Sequence, residues 1–337
     1  MKSIGVLGAG SWGTALAIHV AGSGSPVRLW ARRPELADRL QRDRVNEAYL
    51  PGAVFPEALE VTADIEDLVD CEVVLAVVPS HGYREVVERF FEALPAGRPL
   101  VLVSATKGIE TESLARMSQV TAETAETTGH AVRFATLAGP SFAAELAAGA
   151  PTAAVIAAED GDLAKSLGRR FSTSNLRLYS TTDVVGVELG GTAKNVIAIG
   201  AGIVSGLELG HNTLAALLTR GLHEISRLGV ACGGQRQTLS GLAGLGDLVL
   251  TCTGGLSRNR RTGLELARGK TLEQIQGETQ MVAEGIRNSV SLTRLAGSLG
   301  IEMPITEQMM AVLYEGKTPR QAVEELMTRA LKAESEL

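Results

Sequence analysis

Short apolar runs rich in β-branched residues alternate with amphipathic stretches through roughly the first 180 residues. The runs at 3–10, 26–31, 72–79, 99–106, 133–139, 152–158 and 175–181 predict strands. Several of them, such as "EVVLAVVP", are apolar throughout, which suits strands covered by helices on both faces. Between them, "RPELADRLQRD" (33–43) and "YREVVERFFEAL" (83–94) carry a helical period. After residue 182 the strand pattern stops, and 182–208, 212–229 and 318–334 read as helices, with Asp183 as an N-cap and Gly206 or Gly210 as a helix end. The expected fold is α/β: a Rossmann-type, mostly parallel sheet over 1–182, then an all-α domain over 183–337.

Composition narrows the function classes. The 337 residues carry 32 basic and 38 acidic side chains, a balance that argues against a general nucleic-acid surface. Three cysteines without paired spacing and five scattered histidines predict neither a disulfide framework nor a metal site. Lys2, a short apolar run and Ala15-Leu16-Ala17 imitate a signal peptide, but glycines at 5, 8, 10 and 13 break the stretch. The longest nearly apolar segment, Val196–Leu207, is shorter than the ~20 residues that span a bilayer, so no transmembrane segment and a cytoplasmic location are expected.

The glycines that spoil the signal peptide have a different use. Gly8, Gly10 and Gly13 form G-x-G-x-x-G directly after the first strand, with a helix beginning at Ser11-Trp12. In dinucleotide-binding folds the first glycine permits the tight turn, the second lets the backbone approach a pyrophosphate, and the third lets helix pack on strand. An NAD-specific site usually places an acid about 20 residues further on. Here the second strand ends in Arg32-Arg33 and no acid follows until Glu35, so NADPH is preferred, with NADH as the second cofactor. The alternative is that one or both arginines are a solvated helix start before Pro34. Val78-Pro79-Ser80, Ala105-Thr106-Lys107-Gly108 and Gly139-Pro140-Ser141 fall at the carboxyl ends of later strands, where ligands of such sheets sit.

In the helical half, Gly191, Lys194, Asn195 and Ala198 share one helix face. Adjacent Gly190 and Gly191 imply something packed against the backbone, either a ligand or a neighbouring helix. If the reaction is hydride transfer to a ketone, the nascent alkoxide needs a proton donor, and Lys194 is the side chain on that face able to supply one. A carboxylate beside it would keep it charged against burial, and Asp247 is the candidate. Arg258 and Asn259, in "GGLSRNRRTG", read as a grip on one small phosphate, against the alternative of a solvated basic turn; Arg260 and Arg261 are expected to be solvated.

These residues together resemble the bacterial NAD(P)-dependent glycerol-3-phosphate dehydrogenases. The resemblance rests on "GAGSWGTALA", "RVNEAYLPG", "ATKGIE", "LAGPSFAAEL", "ELGGTAKNVIAIGAG", "GLAGLGDLVLTCT" and "SRNRRTG", in order over essentially the whole chain. It implies reversible reduction of dihydroxyacetone phosphate to sn-glycerol 3-phosphate, feeding phospholipid synthesis. It also implies that Lys194 is the proton donor and acceptor, with Lys107, Gly139, Ser141, Asp247, Ser257, Arg258 and Asn259 around the substrate. Asn195 and Thr251 match the same pocket. The cofactor positions it implies are Ser11, Trp12, Arg32, Arg33, Tyr49, Lys107, Ala143, Arg258, Val282 and Glu284. A homodimer is suggested by the resemblance alone. Two stretches depart from the family pattern: Gly254-Gly255 replaces hydroxyl-bearing residues before "LSRN", and the stretch Val282-Ala283-Glu284-Gly285 bears on the assignments of Val282 and Glu284. Two rivals remain at this level, a β-hydroxyacid dehydrogenase, which would need an arginine for a carboxylate, and a catalytically silent nucleotide-binding sensor.

Overall fold

A computed structural model describes residues 3–278, 283–331 and 333–334. The chain divides into two compact units, residues 1–107 with 115–184, and residues 108–114 with 185–337. The contiguous division at 182/183 expected above is therefore interrupted, because the short segment 108–114 belongs to the helical unit. There Ile109 and Leu114 join the apolar core, and Arg294 donates to the Thr111 carbonyl at 2.7 Å.

The first unit is built on an eight-stranded sheet. Its strands are β1 (Ile4–Leu7), β2 (Val27–Trp30), β5 (Leu59–Thr62), β6 (Val73–Ala76), β7 (Leu100–Ser104), β8 (Val132–Ala138), β9 (Thr152–Ala157) and β10 (Leu176–Thr181). A separate antiparallel pair, β3 (Val45–Asn46) and β4 (Leu50–Val54), lies between β2 and β5 in the chain. The spatial order is β10-β9-β8-β7-β6-β1-β2-β5, and every pairing is parallel except β8 with β9. The apolar runs form these strands because alternate residues face opposite, fully covered sides. Ile4, Val6, Val73 and Leu75 pack with the helices Ser11–Gly22, Pro34–Asp43 and Gly161–Phe171, while Leu7, Val74 and Ala76 pack with Tyr83–Ala93 and Met117–Thr128. From β1 the chain builds outward through β2 to β5, then crosses to β6 on the other side of β1. That reversal is where open α/β sheets bind ligands. β3, β4 and β5 escape the pattern reading, since Leu59-Glu60-Val61-Thr62 is a short edge strand of mixed polarity.

The second unit is built mainly of helices. Its axis is the 23-residue helix Val184–Gly206, buried along most of its length and wrapped by the helices Gly210–Ala231, Asp247–Thr253, Arg258–Ala267, Glu284–Ser298 and Pro304–Tyr314. By length and composition this one helix could cross a membrane, but its most apolar window is 100% buried inside the unit. The helix read over 182–208 is this core helix, and the nearly apolar run Val196–Leu207 covers only its second half. Glycine lets its neighbours reach the backbone: a Cβ on Gly202 would run into the Arg260 carbonyl, and one on Gly263 into that of Ile199. The crossing of Val184–Gly206 with Arg258–Ala267 is consequently closer than side chains would allow.

Glu224 ties two of these helices. It is 3% exposed and accepts from the Ile305 N–H at 2.6 Å, the Thr306 N–H at 3.2 Å and the Thr306 hydroxyl at 3.1 Å, satisfying the first turn of Pro304–Tyr314. Burial pushes its carboxyl pKa up to about 7, with these hydrogen bonds opposing the shift. A raised carboxyl pKa means that the folded state holds the proton more tightly than the unfolded chain. This contribution is therefore complete below the ordinary value of 4.5 and is lost as pH rises through 7. Urea midpoints of the native chain and Glu224→Gln, compared from about pH 4.5 to 8, should show a native decline of up to about 3 kcal/mol that the variant lacks.

Candidate active site

In the first unit the residues read from the sequence gather at the carboxyl ends of the parallel strands. Gly8 follows β1 with φ +113°, a left-handed value that glycine tolerates, and a Cβ there would lie 2.5 Å from the Val77 carbonyl. A Cβ on Gly13 would run into the Gly8 carbonyl, so helix Ser11–Gly22 sits directly on the loop. Gly10 differs from both: a Cβ there meets nothing within 4 Å. The open face belongs to the N-terminus of a helix without a side-chain cap, beginning Ser11-Trp12-Gly13. Backbone N–H groups and a positive dipole end at an open glycine loop fit a pyrophosphate. Helix Ala143–Ala147, which starts at Ala143, packs against Ser11–Gly22.

Arg32 and Arg33 follow β2 and are exposed. Arg33 does start a helix, as N-cap of Pro34–Asp43, and its Nη2 also donates to the Tyr49 hydroxyl at 3.4 Å. Of the two sequence alternatives for Arg33, the helix start describes where it lies. After β7, Lys107 Nζ donates to the Gly139 carbonyl at 3.3 Å, and Ser141 Oγ donates to the same oxygen at 2.9 Å. Lys107, Gly139 and Ser141 form one cluster.

In the helical unit the second group converges on Lys194. The ammonium donates to Asp247 Oδ1 and to Thr251 Oγ1, each at 2.7 Å, and the Thr251 hydroxyl donates to the Asp247 carbonyl at 2.7 Å. Lys194 is 6% exposed and Asp247 1%. Asp247 begins the helix Asp247–Thr253, which is entered through a wide turn closed by Gly246 N–H to Gly241 O at 3.0 Å. That turn lies against the core helix because Gly190 lacks a side chain; a Cβ there would be 2.8 Å from the Ala243 carbonyl. For Gly190 the packed object is a neighbouring segment of chain.

The basic stretch is a helix start. Ser257 caps Arg258–Ala267, its hydroxyl accepting from Arg260 N–H at 3.2 Å, and Arg258 at the first position is exposed. Desolvation of Arg258 lowers its pKa and the nearby Glu284 carboxylate raises it in part; a guanidinium stays cationic throughout. An exposed arginine at a helix N-terminus favours an anion. One expectation needs correction. Arg260 is half-buried and its Nη2 donates to Ser205 Oγ at 3.1 Å, so it is structural, whereas Arg261 is exposed as expected. Asn259 is 8% exposed, its Nδ2 donating to Asn195 Oδ1 at 2.8 Å and its Oδ1 accepting from Gly285 N–H at 2.9 Å. It ties the core helix to Glu284–Ser298, a role that "SRN" does not disclose. Asn195 Nδ2 donates to the Gly191 carbonyl at 3.4 Å. Val282 lies outside the described residues.

Sequence reasoning missed Asn46 and Glu224, both buried polar residues with tertiary partners only. The signal for each is a single polar letter within an otherwise ordinary stretch.

Known proteins resemble this chain over nearly its whole length. Profiles for the N-terminus and C-terminus of NAD-dependent glycerol-3-phosphate dehydrogenase match residues 3–164 and 183–324. A protein of Geobacter sp. (strain M21) named glycerol-3-phosphate dehydrogenase, NAD(P)+, is 51% identical over 334 residues, covering 99% of both chains. One of the same name from Koribacter versatilis is 50% identical over 333 residues and 98% of both. A crystal structure of glycerol-3-phosphate dehydrogenase from Coxiella burnetii superposes with a TM-score of 0.92 at 42% identity, covering 97% of this chain and 99% of that one.

The buried pair makes a stability prediction. Removing one partner strands a charge, which typically costs about 3–5 kcal/mol, whereas replacing both by apolar groups is often neutral. In urea unfolding, Lys194→Met and Asp247→Leu should each lose stability on that scale, and the double variant should lose less than either. Additive losses would contradict the coupling.

Proposed function

The chain belongs to the NAD-dependent glycerol-3-phosphate dehydrogenase family, and from that premise we propose that it interconverts dihydroxyacetone phosphate and sn-glycerol 3-phosphate for glycerophospholipid synthesis. The observation that carries the reading is the buried Lys194 held at 2.7 Å by both Asp247 and Thr251. A lone ammonium in apolar surroundings would lose its proton; one paired with a carboxylate keeps a proton to deliver. Bound NAD(P)H supplies the hydride to the C2 carbonyl. Lys194 gives its proton to the oxygen on which negative charge develops, and in the reverse direction takes it from the C2 hydroxyl. Asp247 and Thr251 fix the direction of Nζ, removing the rotational freedom that a lysine otherwise keeps.

Arg258, at the N-terminus of its helix, holds the phosphate of the substrate, with Ser257 shaping the turn beneath it. Asn259 and Asn195 position that helix against the core helix through their mutual hydrogen bond. The glycine loop of the first unit takes the pyrophosphate. Arg32 and Arg33, with Tyr49 beside Arg33, take the 2′-phosphate, so NADPH is the preferred cofactor and NADH the weaker one. Lys107, Gly139 and Ser141 form a polar cluster for the substrate at the strand ends.

A steady-state assay tests the reading. Dihydroxyacetone phosphate should drive loss of reduced-nicotinamide absorbance, faster with NADPH than with NADH at low nucleotide concentration. Dihydroxyacetone without its phosphate should fall by roughly 10³ in kcat/KM, because the phosphate grip is left unfilled. Binding of NADPH without turnover would identify a silent nucleotide binder, and preference for a hydroxy acid would identify the other dehydrogenase class.

A further inference from the structure

Asn46 sits on β3 with no exposed surface and is fully enclosed in the first unit. Its Nδ2 donates to the Ala9 carbonyl at 3.0 Å and to Thr14 Oγ1 at 2.8 Å, while its Oδ1 is buried without a hydrogen-bond partner. An unpaired buried amide oxygen is costly, so filling space does not account for an asparagine here. One group it holds lies in the glycine loop and the other in the first turn of the helix that follows it. Ala9 lies between Gly8 and Gly10, and Thr14 donates its own N–H to the Gly10 carbonyl at 2.9 Å.

We propose that Asn46 is a positioning residue for the dinucleotide pyrophosphate, acting through the Ala9–Gly10 peptide. The inference rests on the nucleotide-binding reading of this unit. In a trans peptide the carbonyl and the following N–H point in opposite directions. Holding Ala9 O toward Asn46 therefore aims Gly10 N–H away from it. Without that hold, a peptide between two glycine-flanked positions rotates readily. The flank of Gly10 is open, with no atom within 4 Å of a Cβ built there. An N–H fixed at an open helix N-terminus is a preset donor for an anion.

The segment carrying Asn46 is itself anchored. Arg44 donates to the carbonyls of Leu59 and Pro56, each at 2.6 Å, and its own carbonyl accepts from Phe55 N–H at 2.8 Å. Three residues beyond Asn46, Tyr49 accepts from Arg33. One short hairpin thus reaches both the peptide beneath the pyrophosphate and the arginine assigned to the 2′-phosphate. Its placement sets the distance between the two.

The full chain carrying Asn46→Ala is compared with the native one by calorimetric titration with NADPH and by steady-state kinetics. The expected result is a roughly tenfold rise in Kd and KM for NADPH, with kcat at saturation and KM for dihydroxyacetone phosphate within about twofold. In Asn46→Asp the new carboxyl faces two oxygens and can donate only when protonated. Its nucleotide KM should therefore fall toward the native value as pH is lowered from about 8 to 6, a recovery that a space-filling role would not produce. Unchanged NADPH affinity in Asn46→Ala, an equal loss of kcat and both KM values, or a pH-independent defect in Asn46→Asp would overturn the proposal. Failure of the native chain to bind NADPH would instead overturn the nucleotide reading beneath it.

Discussion

An ammonium and a carboxylate buried together set the terms for the whole helical unit. Lys194 and Asp247 are 6% and 1% exposed, and the desolvation of each ion amounts to several kcal/mol that only close, directed hydrogen bonds can offset. Those bonds require the helix bearing Asp247 to approach the core helix at backbone distance. Gly190 permits the approach by leaving room for the Ala243 carbonyl. The same device recurs at Gly285, where a Cβ would fall 2.5 Å from the Asn195 carbonyl and 2.8 Å from Asn259 Oδ1. Apolar packing around Val184–Gly206 supplies the stability, and the missing side chains supply the precision.

The sheet unit solves a different problem with similar means. On the proposed reading it presents backbone donors to an anion without leaving them slack. Gly8 and Gly13 close the loop onto the end of β1 and the start of its helix, and Asn46 fixes the peptide between them from outside the sheet. The two units divide the chemistry accordingly. One carries the glycine loop with Arg32 and Arg33; the other carries the Lys194–Asp247 pair and Arg258, to which the proposed reading gives the proton and the substrate phosphate.

Much of this was legible in the letters of the chain. The covered strands announce themselves because both faces are apolar, and the glycine spacing after "SIGVL" has few other uses in that setting. Lys194 and Asp247 could be paired in advance because a buried lysine needs a counter-charge and "GLGDLVLT" offers one in an apolar stretch. The edge strand β5 and the hairpin of β3 and β4 were not legible, since their residues alternate too weakly to stand out from loop. The bond from Asn259 to Asn195 was not legible, because a polar amide beside arginine gives no sign of a second asparagine far away in the chain. Asn46, Glu224 and the excursion of 108–114 into the helical unit depend on partners far away in sequence, which no local pattern encodes.

The account stands on Lys194 as the source of the proton. The most direct measurement is the single-turnover rate of NADPH oxidation by dihydroxyacetone phosphate in Lys194→Met, at nucleotide and substrate concentrations shown by titration to saturate the variant. The rate should drop by about 10²–10⁴ while NADPH binding is retained, the scale of lost general acid catalysis. A rate within a few-fold of the native enzyme would contradict the central claim.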